Sequence, residues 1–238
     1  MEGIQQFVER VLEEVGAYPV IIFGSALHGS GRSTVADLVY KKFVAAGIPA
    51  RRLSTGKIFR EIAESEGLTI EEFMALQQSN PPRFYSLNIG VDQRIHEEME
   101  EKSLNEAIII DSNLAAYHAE IPNAYALLVY AKPEIVGSRV FQARRKAEKV
   151  YRSPEDALKE MVERTRADID LYRKMSEIAR DNFWKIVYRV AAKDMEKNLE
   201  TILRREKPES PFFHATVDNN GTLEETWKNV EAFLRSQR

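Results

Sequence analysis

No cysteine occurs among the 238 residues, which excludes disulfides, thiolate metal centres and a cysteine nucleophile. Long apolar runs are also missing. Runs such as residues 20–23 and 107–110 fall far short of the ~20 residues that cross a bilayer and have the length of buried strands. Charge of one sign is not in excess: 34 Lys+Arg against 37 Asp+Glu leave a net charge of −3. Nothing in that balance favours nucleic acid or an anionic membrane as partner, so any bound anion must be held locally. The 4 histidines (His28, His96, His118 and His214) show no metal-ligand spacing. No internal repeat or low-complexity tract is present.

What is present is an alternation of strand and helix. Residues 1–16 form an amphipathic pattern (Ile4, Phe7, Val8, Val11, Leu12) and not a signal sequence. Strands are predicted at 19–23, 50–53, 107–111 and 124–130, with continuous apolarity that points to a parallel sheet buried on both faces. A fifth, 212–217, runs into the turn Asp218-Asn219-Asn220-Gly221 and then Thr222-Leu-Glu-Glu225, which has the form of a capping box. The pattern implies a doubly wound α/β fold. Two long polar helical stretches, 56–102 and 133–205, lie between the strands. Pro81-Pro82 divides the first into helices at 69–78 and 88–102, and Ser153-Pro154 reads as a helix start in the second. A single domain of 1–238 is expected, with a core of 17–55, 104–135 and 208–238, and helical regions at 56–103 and 136–207.

Chemistry concentrates after the first strand, in Ala26-Leu-His-Gly-Ser-Gly-Arg-Ser-Thr34 followed by a helical pattern. Strand, glycine loop and helix make a phosphate cradle, in which inward-turned backbone N–H groups and the helix N-terminus hold an anion. Gly29, Ser30, Gly31, Arg32, Ser33 and Thr34 are the candidate phosphate ligands. Against the pattern G-x-x-x-x-G-K-[ST], the first glycine is Ala26 and the lysine is Arg32. Charge survives that second change, but a planar fork replaces a point charge. Ser33 stands where a hydroxyl would ligate Mg²⁺. At the end of the third strand, Asp111 can either cap the next turn or orient that Mg²⁺, and the presence of Ser33 favours the metal.

After the second strand, Thr55 and Arg60 lie five apart across a helix start, with Gly56 between them. A hydroxyl and a guanidinium so placed can address one phosphate, or Ser54 or Thr55 can be an N-cap with Arg60 solvated.

The segment Ser54-Thr-Gly-Lys-Ile-Phe-Arg-Glu-Ile-Ala63, continuing to Phe73, resembles the P-loop nucleoside monophosphate kinases, and most closely the archaeal-type cytidylate kinases with their S-x-G-E-I-F-R-E-x-A motif. The resemblance implies a P-loop NTPase fold, an NMP-binding helical region at 56–103, and a mobile lid within 136–207. It implies in-line transfer of the γ-phosphoryl group of ATP, with Mg²⁺, to CMP, dCMP or a similar small nucleotide in the cytoplasm. It places Thr55 and Arg60 at the acceptor, with Asp92 of Val91-Asp-Gln-Arg94 beside them. An exposed helical acid is the other reading of Asp92.

Departures from that family concern the chemistry. An E-G-R-L arginine that grips the acceptor is replaced in Asp111-Ser112-Asn113-Leu114, leaving Asn113 at the acceptor position, and a lid arginine is replaced by Leu171 while Arg164 is kept. Losing such a cation can reduce kcat by ~10³ or more. Compensating catalytic cations would come from Arg32, Arg144, Arg145 and Arg164, the basic run 144–152 having a solvated helix face as its other reading. The sequence therefore leaves three functions open: an active nucleotide kinase, a nucleotide-binding module without transfer, or a kinase for another acceptor such as dephospho-coenzyme A, whose kinases the 217–225 segment also resembles. The oligomeric state, monomer or homodimer, is left open as well.

Overall fold

A computed structural model describes residues 2–144 and 151–237. The chain runs α1 (Glu2–Val15), β1 (Val20–Ser25), α2 (Arg32–Ala45), β2 (Ala50–Ser54), α3 (Thr55–Ser65), α4 (Ile70–Ser79), α5 (Pro81–Lys102), β3 (Ala107–Asp111), β4 (Ala124–Tyr130), α6 (Pro133–Arg144), α7 (Pro154–Ile178), α8 (Asn182–Leu203), β5 (Ala215–Asp218) and α9 (Leu223–Ser236). A single 3-10 turn, Ala115–Tyr117, follows β3. The strands form one parallel sheet in the order β2-β3-β1-β4-β5.

Every residue of β1 and of β3 is buried, which is why both read as unbroken apolar runs. Alternate side chains nevertheless serve different cores. Ile21, Phe23 and Ile109 pack with α1, α2 and α9, whereas Val20, Ile22, Ile108 and Ile110 pack with α3 and α5. Leu128 and Tyr130 of β4 meet α6, α7 and α8. A fourth cluster has no sheet residue in it: Phe73, Phe84 and Tyr85 of α4 and α5 join Met175, Trp184, Val187 and Tyr188 of α7 and α8. The long helix α8 thus ties the two helical regions to each other. Because β1 has β3 on one side and β4 on the other, its C-terminal end lies at the point where the chain switches sides of the sheet, the usual crevice for a ligand.

Two expected boundaries are corrected. The helix expected at 88–102 begins at Pro81, because prolines are tolerated where the N–H has no helical partner, and Asn80 caps the end by accepting from Arg83 N at 3.4 Å. The last strand is Ala215–Asp218 and not 212–217. Residues 211 and 212 form a turn, and the Phe213 ring that follows lies on Gly24, where a Cβ would strike it. The caps at Ser153 and Thr222 form as expected, Ser153 Oγ accepting from Asp156 N at 3.2 Å and Thr222 Oγ1 from Glu225 N at 3.2 Å.

Candidate active site

Gly29 and Gly31 hold φ of +80° and +90°, so the loop between β1 and α2 takes a left-handed path that glycine follows without strain. A cavity of about 340 Å³ opens along this loop, lined by Ser25, residues 28–34, Arg139 and Val140. The β5–α9 turn supports the loop from behind. Asn219 donates to Ser30 O at 2.8 Å, Thr226 Oγ1 donates to Asn219 Oδ1 at 2.8 Å, and Arg139 of α6 donates to the carbonyls of Asn219 (2.6 Å) and Gly221 (2.9 Å). A Cβ on Gly31 would run into the Asn219 amide.

Asp111 stands at the C-terminal edge of β3, where the loop and the β2–α3 turn meet. Ser33 Oγ donates to its Oδ2 at 2.5 Å, and Thr55 Oγ1 donates to its main-chain carbonyl at 3.1 Å. Arg52 of β2 lays a fork on the same carboxylate, with Nη1 to Oδ1 at 3.1 Å and Nη2 to Oδ2 at 3.0 Å. Arg32 donates to Asn113 Oδ1, which also accepts from Ser25 N at 3.0 Å and lies 3.4 Å from Ser25 Oγ. Burial pushes the Arg32 guanidinium below its ordinary value, while the Asp111 charge acts to hold it up.

Helix α7 closes against the loop. Thr165 Oγ1 accepts from His28 N at 3.0 Å, and His28 Nε2 meets Asp168 Oδ2 at 2.8 Å. One turn on, Tyr172 stacks on Tyr188 at a ring distance of 6.0 Å. Burial, with the charges of Asp168 and Asp92, raises the Tyr172 phenol well above its usual range.

The residues expected from sequence are therefore brought together in part. Gly29, Ser30, Gly31, Arg32, Ser33, Thr34, Thr55, Asp111 and Asn113 share one crevice. Arg60 is exposed and has no hydrogen bond or ion pair among the described residues. Asp92 is not an exposed helical acid: it is buried and accepts from Tyr188 Oη at 2.8 Å, and burial lifts its carboxyl to about 7. Arg164 is exposed and lines a separate cavity with Asp156, Lys159 and Glu163. Arg145 and the side chain of Arg144 lie outside the described residues. Sequence reasoning missed Arg52, Thr165, Asp168 and Asn219. The one local signal was at Arg52, where period-2 alternation in β2 puts it opposite Leu53, towards α2, and its Nε reaches Asp37 at 3.0 Å.

Ser33 and Asp111 together offer a hydroxyl and a carboxylate, hard oxygen donors side by side. Among the described residues no group of three His, Cys, Asp or Glu side chains is placed to hold an ion. Such a pair fits Mg²⁺, which keeps several waters and completes its shell with phosphate oxygens. No described helix is long and apolar enough to cross a membrane.

No protein-family model matches the chain. Two solved structures superpose on 92% of it: an uncharacterized protein from Eubacterium ventriosum (TM-score 0.53, 13% identity, 99% of that chain) and TT1252 from Thermus thermophilus (TM-score 0.50, 18% identity, 98% of that chain). At that identity they show the fold alone. The cytidylate kinase of Methanopyrus kandleri is 27% identical over 163 residues, which is 66% of this chain and 76% of that protein. The cytidylate kinase of Archaeoglobus fulgidus is 30% identical over 179 residues, which is 74% of this chain and 88% of that protein. A five-stranded parallel sheet with a glycine loop at its switch point, and sequence kinship over most of such a relative's length, mean that the chain belongs to the cytidylate kinase family.

Proposed function

We propose that this protein is an ATP-dependent phosphotransferase that moves the γ-phosphoryl group to a nucleoside monophosphate, with CMP or dCMP as acceptor. Asp111 carries the reading. Ser33 from the donor loop holds its carboxylate and Thr55 from the acceptor turn holds its carbonyl, so both substrates would be referenced to one residue. An acceptor phosphate oxygen would attack the γ-phosphorus as the bond to the β–γ bridging oxygen breaks, and ADP leaves.

In such a transfer the protein acts by positioning and by cationic stabilisation of the equatorial oxygens. The N–H groups of residues 29–34 would hold the ATP phosphates, and Arg32 would supply charge at the point of transfer. Thr55 and Arg60 would receive the acceptor, with Arg144, Arg145 and Arg164 as the candidate cations for the transferred group. Ser33 and Asp111 would hold Mg²⁺, which when bound neutralises phosphate charge. Asp92, buried and held by Tyr188, would read the acceptor base only after parting from it. A coupled assay over a panel of nucleoside monophosphates tests the reading: CMP turnover that collapses in Arg32→Ala supports it, and no turnover with any acceptor refutes it.

Two contacts favour a second reading, a nucleotide-binding module without transfer. The His28 N–H is already taken by Thr165, and Arg32 is held by Asn113. Calorimetry separates the two readings, since ATP binding without turnover selects the module.

A further inference from the structure

Arg52 is absent from every phosphate-binding pattern in the sequence, yet among the described residues its guanidinium is the one that engages the Asp111 carboxylate. Its side chain is 15% exposed and that of Asp111 8%, so this is a largely desolvated pair. The fork is complete: Nη1 and Nη2 each take one carboxylate oxygen at 3.1 and 3.0 Å. Two further contacts fix the guanidinium plane, Nε on Asp37 of α2 at 3.0 Å and Nη1 on the carbonyl of Leu53. Bidentate pairing of this kind is geometrically demanding, and lysine does not reproduce it. Arg52 and Arg32 are also near enough that the charge of Arg52 acts against that of Arg32.

A carboxylate beside a phosphate cradle repels the phosphates it faces unless a cation lies between them. In a site of low dielectric that repulsion is much larger than in water. Here the compensating cation is part of the fold. We propose that Arg52 is a positioning residue that acts through Asp111 as a built-in counter-cation, so that the loop accepts a triphosphate without needing a divalent ion to screen Asp111. The proposal rests on the nucleotide-site reading given above. It sets the metal dependence of binding, a property distinct from turnover. Without Arg52, a bare Asp111 would both repel metal-free ATP and attract Mg²⁺ more strongly, so its loss should be felt almost wholly in the metal-free state.

Calorimetric titration with ATP in EDTA and with MgATP tests this in wild type, Arg52→Gln and Arg52→Lys. The expected result for Arg52→Gln is metal-free binding weakened about ten-fold or more, with MgATP binding changed by less than about three-fold. Arg52→Lys, which keeps the charge and loses the fork, should fall between. Equal loss in both conditions, or no loss in EDTA, overturns the inference while leaving the nucleotide site standing. Wild type that binds ATP in neither condition overturns the nucleotide reading along with it. If thermal melting shows that Arg52→Gln does not fold, Arg52→Lys decides: its affinity in EDTA must fall relative to its affinity in Mg²⁺, and an unchanged ratio overturns the proposal.

Discussion

The guanidinium of Arg32 donates to Asn113 Oδ1, the same oxygen that accepts from the Ser25 N–H at 3.0 Å. Two departures from the cytidylate kinase pattern, arginine for the loop lysine and asparagine for the acceptor arginine, thus meet in space. Asn113 does not supply a cation; it holds one. The positive charge that the E-G-R-L segment would carry is absent from the β3 side, and a larger cation enters from the loop side.

Asn113→Ala should leave the Ser25 N–H unpaired and release Arg32. Stability should fall by about 1–3 kcal/mol, the penalty for a buried group without a partner. Urea unfolding measures the change, and a loss below ~0.5 kcal/mol would contradict the role of Asn113 as anchor.

Gly31→Ala forces a side chain onto a φ of +90° and into the Asn219 amide. A destabilisation of about 2 kcal/mol or more is expected, together with loss of ATP binding, because the turn that shapes the nest must shift. Calorimetry and thermal unfolding check both parts.

Much of this site was legible in the sequence, and the rest was hidden for a physical reason. Ser33 and Asp111 follow from local motifs, and β1 and β3 from apolar runs buried on both faces. Arg52 on Asp111, Thr165 on His28 and Asn219 on Ser30 join residues 59, 137 and 189 positions apart. No periodicity or spacing encodes such pairs. The start of α5 was missed because Pro81-Pro82 has the same composition whether it breaks a helix or opens one.

Asp92 makes stability depend on pH in the basic direction. Its carboxyl titrates at about 7 in the fold against 3.8 as the ordinary value, so the folded state favours the protonated form. That contribution is complete below pH 3.8 and is lost as pH rises through about 7. Asp92→Asn keeps an acceptor for Tyr188 and removes the charge. It should match wild type near pH 4 and exceed it at pH 8 by on the order of 3 kcal/mol, read by urea unfolding at the two pH values. Equal stability at pH 8 would show that the carboxylate is solvated.

His118 works with the opposite sign. Burial holds its imidazole at about 3 against 6.5, with His96 Nδ1 3.3 Å from its Nδ1. The folded state keeps the ring neutral, so stability is present above pH 6.5 and is lost as pH falls towards 3. Wild type should lose about 2 kcal/mol between pH 6.5 and 5 that His118→Gln does not lose. Parallel pH profiles for the two proteins would assign the acid sensitivity elsewhere.

The transfer itself is tested most directly by mixing the protein with γ-phosphorus-labelled ATP, Mg²⁺ and CMP in a single turnover and separating the products. Label in CDP, abolished by Arg32→Ala, is the predicted result. Label that stays in ATP, or appears only as inorganic phosphate, would contradict the assignment of this crevice to phosphoryl transfer between nucleotides.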